Sequence, residues 1–378
     1  MKPLIDTQEF LALSSFLNYQ LSGEPVNWRG VLGLIIKGSL PPGDEEILMD
    51  TMAYLEEAYG QQKRRLGPLA ILHPIRAAAL LVRSQEQPSI LEILTTLLHD
   101  RHEDIRQEQY SPETWTHLDE RYQRLIQRID ANANWFLHER LHYLTKMPGQ
   151  KYHEYLGNLF SKAQQTPELA AIKLADRLDN TLDLRIDLHE FTDSVHCFQV
   201  IFDTIFTNAY KGLRLEHAHP VARKINGAMR LYQLYKNTVL LTLLRTAGLV
   251  LPEYGGKLLH SLAVASIREA QTILLHTFAY HIPDPADQRA LLLEVMTYAH
   301  RDGFSQISES GTQRLDGLFT GHFTFDSKEA KKQGLETLYQ DKWLMGLSAA
   351  AFLVLFASFI NDSQFRIKGI EPAGIFPV

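Results

Sequence analysis

The chain has 378 residues, 45% hydrophobic and 22% charged, enough to bury the core of one large or two ordinary domains. Its formal net charge of −6 argues against a general nucleic-acid binder, which needs a basic surface to displace phosphate counterions. The lone cysteine, Cys197, excludes an internal disulfide and fits a reducing, cytoplasmic setting.

The N-terminal stretch "MKPLIDTQEFLALSSFLNYQ" carries Asp6 and Glu9 and lacks a basic start followed by an apolar run. No signal peptide is expected there. "DEEILMDTMAYLEEAYGQQKRR" (44–65) opens with acids and closes with bases, the polarity a helix dipole favours. It predicts a helix running into the basic residues. "PSILEILTTLLHDRHEDI" (88–105) has Pro and Ser at its start and apolar residues at 90, 94, 97 and 98, one helical stripe. Ser-Pro-Glu at 111–113 and Thr-Pro-Glu at 166–168 place proline at the first helical position, opening helices over 111–130 and 166–184.

Further helices are expected over 194–210, 221–246, 257–280, 285–300, 328–340 and 343–360. Alternating strand patterns are scarce, and "GHFTFDS" (321–327) is the best candidate. The fold class is therefore all-α. Residues 344–360 form an uncharged run at the short limit of a membrane span. In a helical protein such a run is a core helix apolar all round, with membrane contact as the alternative. A weak boundary falls near 212–221, after which acid and His clusters thin out.

The chemistry concentrates in "LLHDRHEDI" (97–105). On one helix, His99, Asp100, Glu103 and Asp104 would span an arc of roughly 140°, away from the apolar stripe. Taken alone, such a run is usually a solvated helix face. Two other segments change its meaning. His73 precedes Pro74 and so sits at a helix start. Asp176, in "AAIKLADRLDNTLDL" (170–184), lies among apolar neighbours, where a carboxylate must be paired, hydrogen-bonded or metal-bound.

His73, His99-Asp100 and Asp176 in this order resemble the HD phosphohydrolase superfamily, an H…HD…D set on a helical bundle. The longer blocks "HPIRAAALL", "LLHDRHED", "LTK" (144–146) and "IKLADRLDN" resemble the hydrolase domain of the RelA/SpoT family, over roughly residues 47–190. That family cuts the 3′-pyrophosphate from guanosine tetra- and pentaphosphate. The resemblance implies an HD domain with an N-terminal extension over 1–214, and a helical region of unknown role over 215–378. It assigns His73, His99, Asp100 and Asp176 to a divalent metal, typically manganese. Glu103 and Asp104 would position and activate the attacking water. Arg64, Arg65 and Asn180 would contact a small-molecule nucleotide.

The chain departs from the family at Leu66, Ala70, Leu182 and Asp183. Asp183 stands where a neutral Thr is usual, and near a polyphosphate it is expected to repel by roughly 1 kcal/mol. Two alternatives stay open: an HD phosphohydrolase for another nucleotide or pyrophosphate-containing metabolite, or a non-catalytic metal- or nucleotide-binding regulatory module. His102 is expected to face outward, and Cys197 to be a buried thiol in a helix.

Overall fold

Capping residues and apolar stripes set most of the helices where the pattern places them. The computed structural model describes residues 2–36, 38, 40–60, 62–64, 69–130, 136–184, 225–249 and 255–376. It is all-α apart from one two-stranded hairpin. The N-terminal helices are α1 (Thr7–Leu21), α2 (Trp28–Ile35), α3 (Pro42–Tyr59), α4 (Leu72–Ser84) and α5 (Ile90–Leu98). A short α6 (Arg101–Asp104) precedes α7 (Pro112–Asp130), α8 (Phe136–Leu144), α9 (Tyr152–Ala163) and α10 (Glu168–Asp183). Ser89 caps α5 by accepting from the Glu92 amide, and Glu92 reaches back to the Ser89 amide.

The C-terminal helices are α11 (Gly227–Thr246), α12 (Gly256–Tyr280), α13 (Pro285–His300), α14 (Leu318–His322), α15 (Lys328–Gln340) and α16 (Lys342–Asn361). Strands β1 (Ile370–Glu371) and β2 (Gly374–Ile375) pair antiparallel. Helix α16 packs along α12 and also meets α11, α13 and α15. Gly346 permits this approach, because a Cβ there would sit 2.8 Å from Leu291 Cδ1 of α13. Among the described residues, α16 alone is long and apolar enough to cross a membrane, and 61% of its apolar window is buried within the protein.

Three sequence expectations change. The helix expected over 44–65 stops at Tyr59, where Gly60 takes φ +50. Lys63 instead bridges Leu69 across the loop, and Arg64 turns inward. The helix expected through 105 breaks at Asp100, whose φ of −94 and ψ of 1 leave the helical region. Residues 321–327 form no strand; Phe323 packs against Tyr235 and Phe352 in an aromatic cluster, and among the described residues nothing pairs with its backbone as a strand would require. The helix expected over 194–210, with Cys197, lies outside the described residues, as does the expected domain boundary.

One apolar core runs from α1 through α16. Buried polar groups tie α10 to the C-terminal helices. Asn237 Nδ2 donates to Thr181 Oγ1 and to Ser266 Oγ, both at 2.9 Å. Arg230 pairs with Glu269 at 2.7 Å, joining α11 to α12.

His153, on α9, is buried against Tyr235, with Nε2 3.5 Å from its hydroxyl. Burial, helped by the Lys151 charge, lowers its pKa to about 4. The depressed value means its contribution is present above the unfolded pKa near 6.5 and is lost as pH falls toward 4. Between pH 7.5 and pH 5 this group should cost about 2 kcal/mol of stability. Urea denaturation of His153→Gln at both pH values should show a shallower loss; an unchanged slope would remove His153 as the cause.

Candidate metal centre

Three helical segments converge on one point. Helix α4 brings His73 in its first turn, α10 brings Asp176, and the break after α5 brings His99 and Asp100. Helix α4 packs on both α5 and α10. His73 Nε2 lies 3.1 Å from Asp100 Oδ2 and 3.3 Å from Asp176 Oδ1. His99 Nε2 lies 3.3 Å and 3.8 Å from the same two atoms. One ligand atom from each of the four residues falls within 4.8 Å of every other. The departure from helical geometry at Asp100 lets two adjacent residues aim at one centre.

These residues fit a divalent ion. Two ligands each about 2.1 Å from an ion lie about 3.0 Å apart at a right angle and about 3.4 Å apart at the tetrahedral angle. The shorter separations match that range. The tautomers also fit. His99 Nδ1 is 2.7 Å from the Thr96 carbonyl oxygen, so it carries the proton and donates it. That leaves His99 Nε2 buried, without a hydrogen-bond partner, its lone pair facing two carboxylates. His73 Nδ1 is 2.6 Å from Asp179 Oδ2, the carboxylate–histidine pairing that orients a metal-ligating imidazole. A mixed imidazole and carboxylate set suits a mid-row divalent metal without selecting one.

Electrostatics point the same way. Burial and the Arg64 charge resist protonation of His73, yet hydrogen bonds to Asp100, Asp176 and Asp179 raise its pKa to about 9. Burial likewise resists at His99, and the Asp100 and Asp176 carboxylates raise it well above the usual histidine range. The acids demand positive charge between them, and a divalent cation meets that demand.

A second layer holds this set. Arg76, fully buried, donates Nε to Asp179 Oδ1 at 2.7 Å and Nη2 to Asp183 Oδ1 at 2.8 Å. Arg64 Nη1 lies 3.2 Å from Asp179 Oδ2 and 3.4 Å from Asp183 Oδ2. Arg64 Nη2 donates to Asn180 Oδ1 at 2.5 Å, and Asn180 Nδ2 donates to the Asp176 carbonyl at 3.0 Å. Lys173 Nζ pairs with Asp176 Oδ2 at 2.6 Å.

Arg64 and Asn180, expected on a nucleotide, thus lie beside the centre with polar atoms engaged in supporting Asp176 and Asp179. Arg65 and Leu66 lie outside the described residues. The expected repulsion from Asp183 is corrected: its carboxylate is buried and neutralised by Arg76 and Arg64. Leu182 is in the apolar core rather than facing a ligand.

Glu103 and Asp104 lie one short turn beyond Asp100. Glu103 Oε1 accepts from the Lys146 amide at 2.6 Å, and Asp104 Oδ2 accepts from the Tyr59 hydroxyl at 3.1 Å. Burial, reinforced by the Asp100 charge, raises the pKa of both. A cavity of about 460 Å³ opens beside Glu103, with His102, Arg106, His138, His142 and Lys146 on its wall. His102 does not face outward as expected. It is half-buried, edge-on to Tyr122, with Nε2 3.3 Å from that hydroxyl.

Sequence reasoning missed Asp179, Arg76, Lys173 and Tyr59. A signal for three of them exists. Arg76 follows His73 by three residues, Asp179 follows Asp176 by three and Lys173 precedes it by three, so each shares a helix face with a ligand-type residue. Together these helices define an all-α protein with a cluster of two histidines and two aspartates that could hold a metal ion. No family model, curated protein or solved structure matches the chain.

Proposed function

We propose that this protein is a metal-dependent phosphohydrolase that removes the 3′-pyrophosphate of guanosine tetra- and pentaphosphate. The observation that carries the hydrolase class is the convergence of His73, His99, Asp100 and Asp176, with Glu103 and Asp104 beside it. The guanosine pyrophosphate assignment is supported by the resemblance of the four sequence blocks to the RelA/SpoT hydrolase domain.

A divalent ion, manganese in the family resembled, would be held by those four residues, lower the pKa of a water and polarise a phosphoryl oxygen. Glu103 takes the proton from the attacking water. The Lys146 amide fixes one of its oxygens, and among the described residues the other has no hydrogen-bond partner. Its raised pKa makes it a better base than an ordinary carboxylate. Asp104, anchored by Tyr59, orients the same water. Lys173 keeps Asp176 ionised and aimed at the centre.

Glu103→Gln should retain the metal and lose turnover by about 100-fold or more, the usual worth of a general base. Metal analysis and product release measured on one preparation check this. Manganese-loaded protein mixed with guanosine tetraphosphate should release GDP and pyrophosphate. Intact substrate with metal bound would sink the guanosine assignment.

A second reading keeps the chemistry and changes the substrate to another nucleotide or pyrophosphate-containing metabolite. The engagement of Arg64 and Asn180 within the protein favours it. A panel of nucleotides assayed for released phosphate or pyrophosphate separates the two.

A further inference from the structure

Beyond Asp176 along α10, cationic side chains gather between α9, α10 and α11. Arg177 is 4% exposed, and among the described residues its guanidinium meets neutral acceptors. These are Asn237 Oδ1 at 3.0 and 2.7 Å, the Gln233 carbonyl at 3.3 Å and Gln233 Oε1 at 3.5 Å. Lys236, on α11, meets aromatic rings, its Nζ 5.7 Å from the Tyr152 centroid and 5.8 Å from that of Tyr232. Among the described residues, neither Arg177 nor Lys236 has a carboxylate within 4.0 Å. Two further cations stand close by, Lys331 over Tyr232 at 3.8 Å and Lys173 over Tyr155 at 5.1 Å.

The Tyr152 hydroxyl, buried in the same cluster, has no hydrogen-bond partner. Burial pushes Lys236 well below the usual lysine range, and the charges of Arg177, Lys331 and Lys173 push the same way. Asp176 opposes that shift only weakly, and Lys173 already pairs with it. A buried guanidinium, a half-buried ammonium and an unpartnered buried hydroxyl are costly to desolvate, and an acceptor-only, multiply charged ligand satisfies them together.

We propose that Lys236, Arg177 and the Tyr152 hydroxyl form a seat for a phosphate-type oxyanion next to the metal centre. Lys236 and Tyr152 donate to its oxygens, while Arg177 neutralises its charge. The anion is either a phosphate group of the substrate remote from the bond being cut or free inorganic phosphate. The first source rests on the hydrolase proposal above; the binding itself does not.

The test titrates the full chain, stripped of metal by EDTA, with inorganic pyrophosphate, followed by calorimetry and thermal denaturation. Wild type should bind and be stabilised. Lys236→Met should bind about tenfold more weakly or worse, the loss expected for a charge-assisted hydrogen bond. Its ligand-free midpoint should rise, because a partly desolvated amine with no carboxylate beside it among the described residues has gone. Tyr152→Phe should weaken binding while the chain stays folded. The seat is refuted if wild type does not bind, or if Lys236→Met binds equally well. A lower ligand-free midpoint with unchanged binding would make Lys236 structural.

With metal restored, a raised KM at retained kcat in Lys236→Met assigns the seat to the substrate's own phosphate. Loss of the response of turnover to added inorganic phosphate assigns it to free phosphate. A chain that binds pyrophosphate without metal yet hydrolyses nothing would sink the hydrolase reading and leave the seat standing.

Discussion

Replacing Asp176 by alanine is expected to abolish divalent-ion binding and to reduce turnover to background. The carboxylate sits between His73 and His99 and is reached by both imidazole Nε2 atoms. Its removal leaves three ligands and strands Lys173, whose ammonium is paired to it at 2.6 Å in a buried setting. Metal binding couples to folding, so wild type should be stabilised by an added ion by about 2.7 kcal/mol at a hundredfold excess over Kd. Asp176→Ala should show no such gain. Metal content by elemental analysis and thermal midpoints with and without manganese read both effects. A variant that keeps a full complement of metal and a wild-type shift would show that these four residues are not the site.

Replacing Arg76 by methionine should be the most damaging change to stability. Arg76 is fully buried and answers two buried carboxylates, Asp179 and Asp183. Methionine fills much of the stem's volume but leaves those acids with Arg64 alone, at the edge of the site. Breaking a buried ion pair by removing one partner costs about 3–5 kcal/mol, because the remaining charge stays desolvated. Urea denaturation should show that loss, and adding Asp183→Asn should recover part of it by removing one stranded charge. Asp179 would also lose its anchor, so His73 would be oriented less firmly and metal affinity should fall by about 10–100-fold. An Arg76→Met chain as stable as wild type would show that the two acids find other partners.

Helix α16 illustrates how far composition alone reaches. An uncharged stretch such as 344–360 reads first as a core helix, with membrane contact left as the alternative. Its burial against α12 and α13 depends on Gly346 and Leu291 meeting, and local pattern carries no trace of that.

The sequence by itself determined the all-α class, most helix positions and the four ligand-type residues His73, His99, Asp100 and Asp176. These are local signals: apolar spacing, capping residues, and an acid set among apolar neighbours. Tertiary packing decided what surrounds them. The turn at Asp100, the anchoring of His73 by Asp179, and the engagement of Arg64 and Asn180 inside the protein all followed from it. So did the neutralised state of Asp183. The physical reason is distance along the chain. Arg76 and Asp179 are 103 residues apart, and their charges meet only when α4 packs on α10. A one-dimensional pattern names groups that could bind a metal or a phosphate. The packed helices decide which of those charges are already answered and which, like Lys236, meet no carboxylate among the described residues.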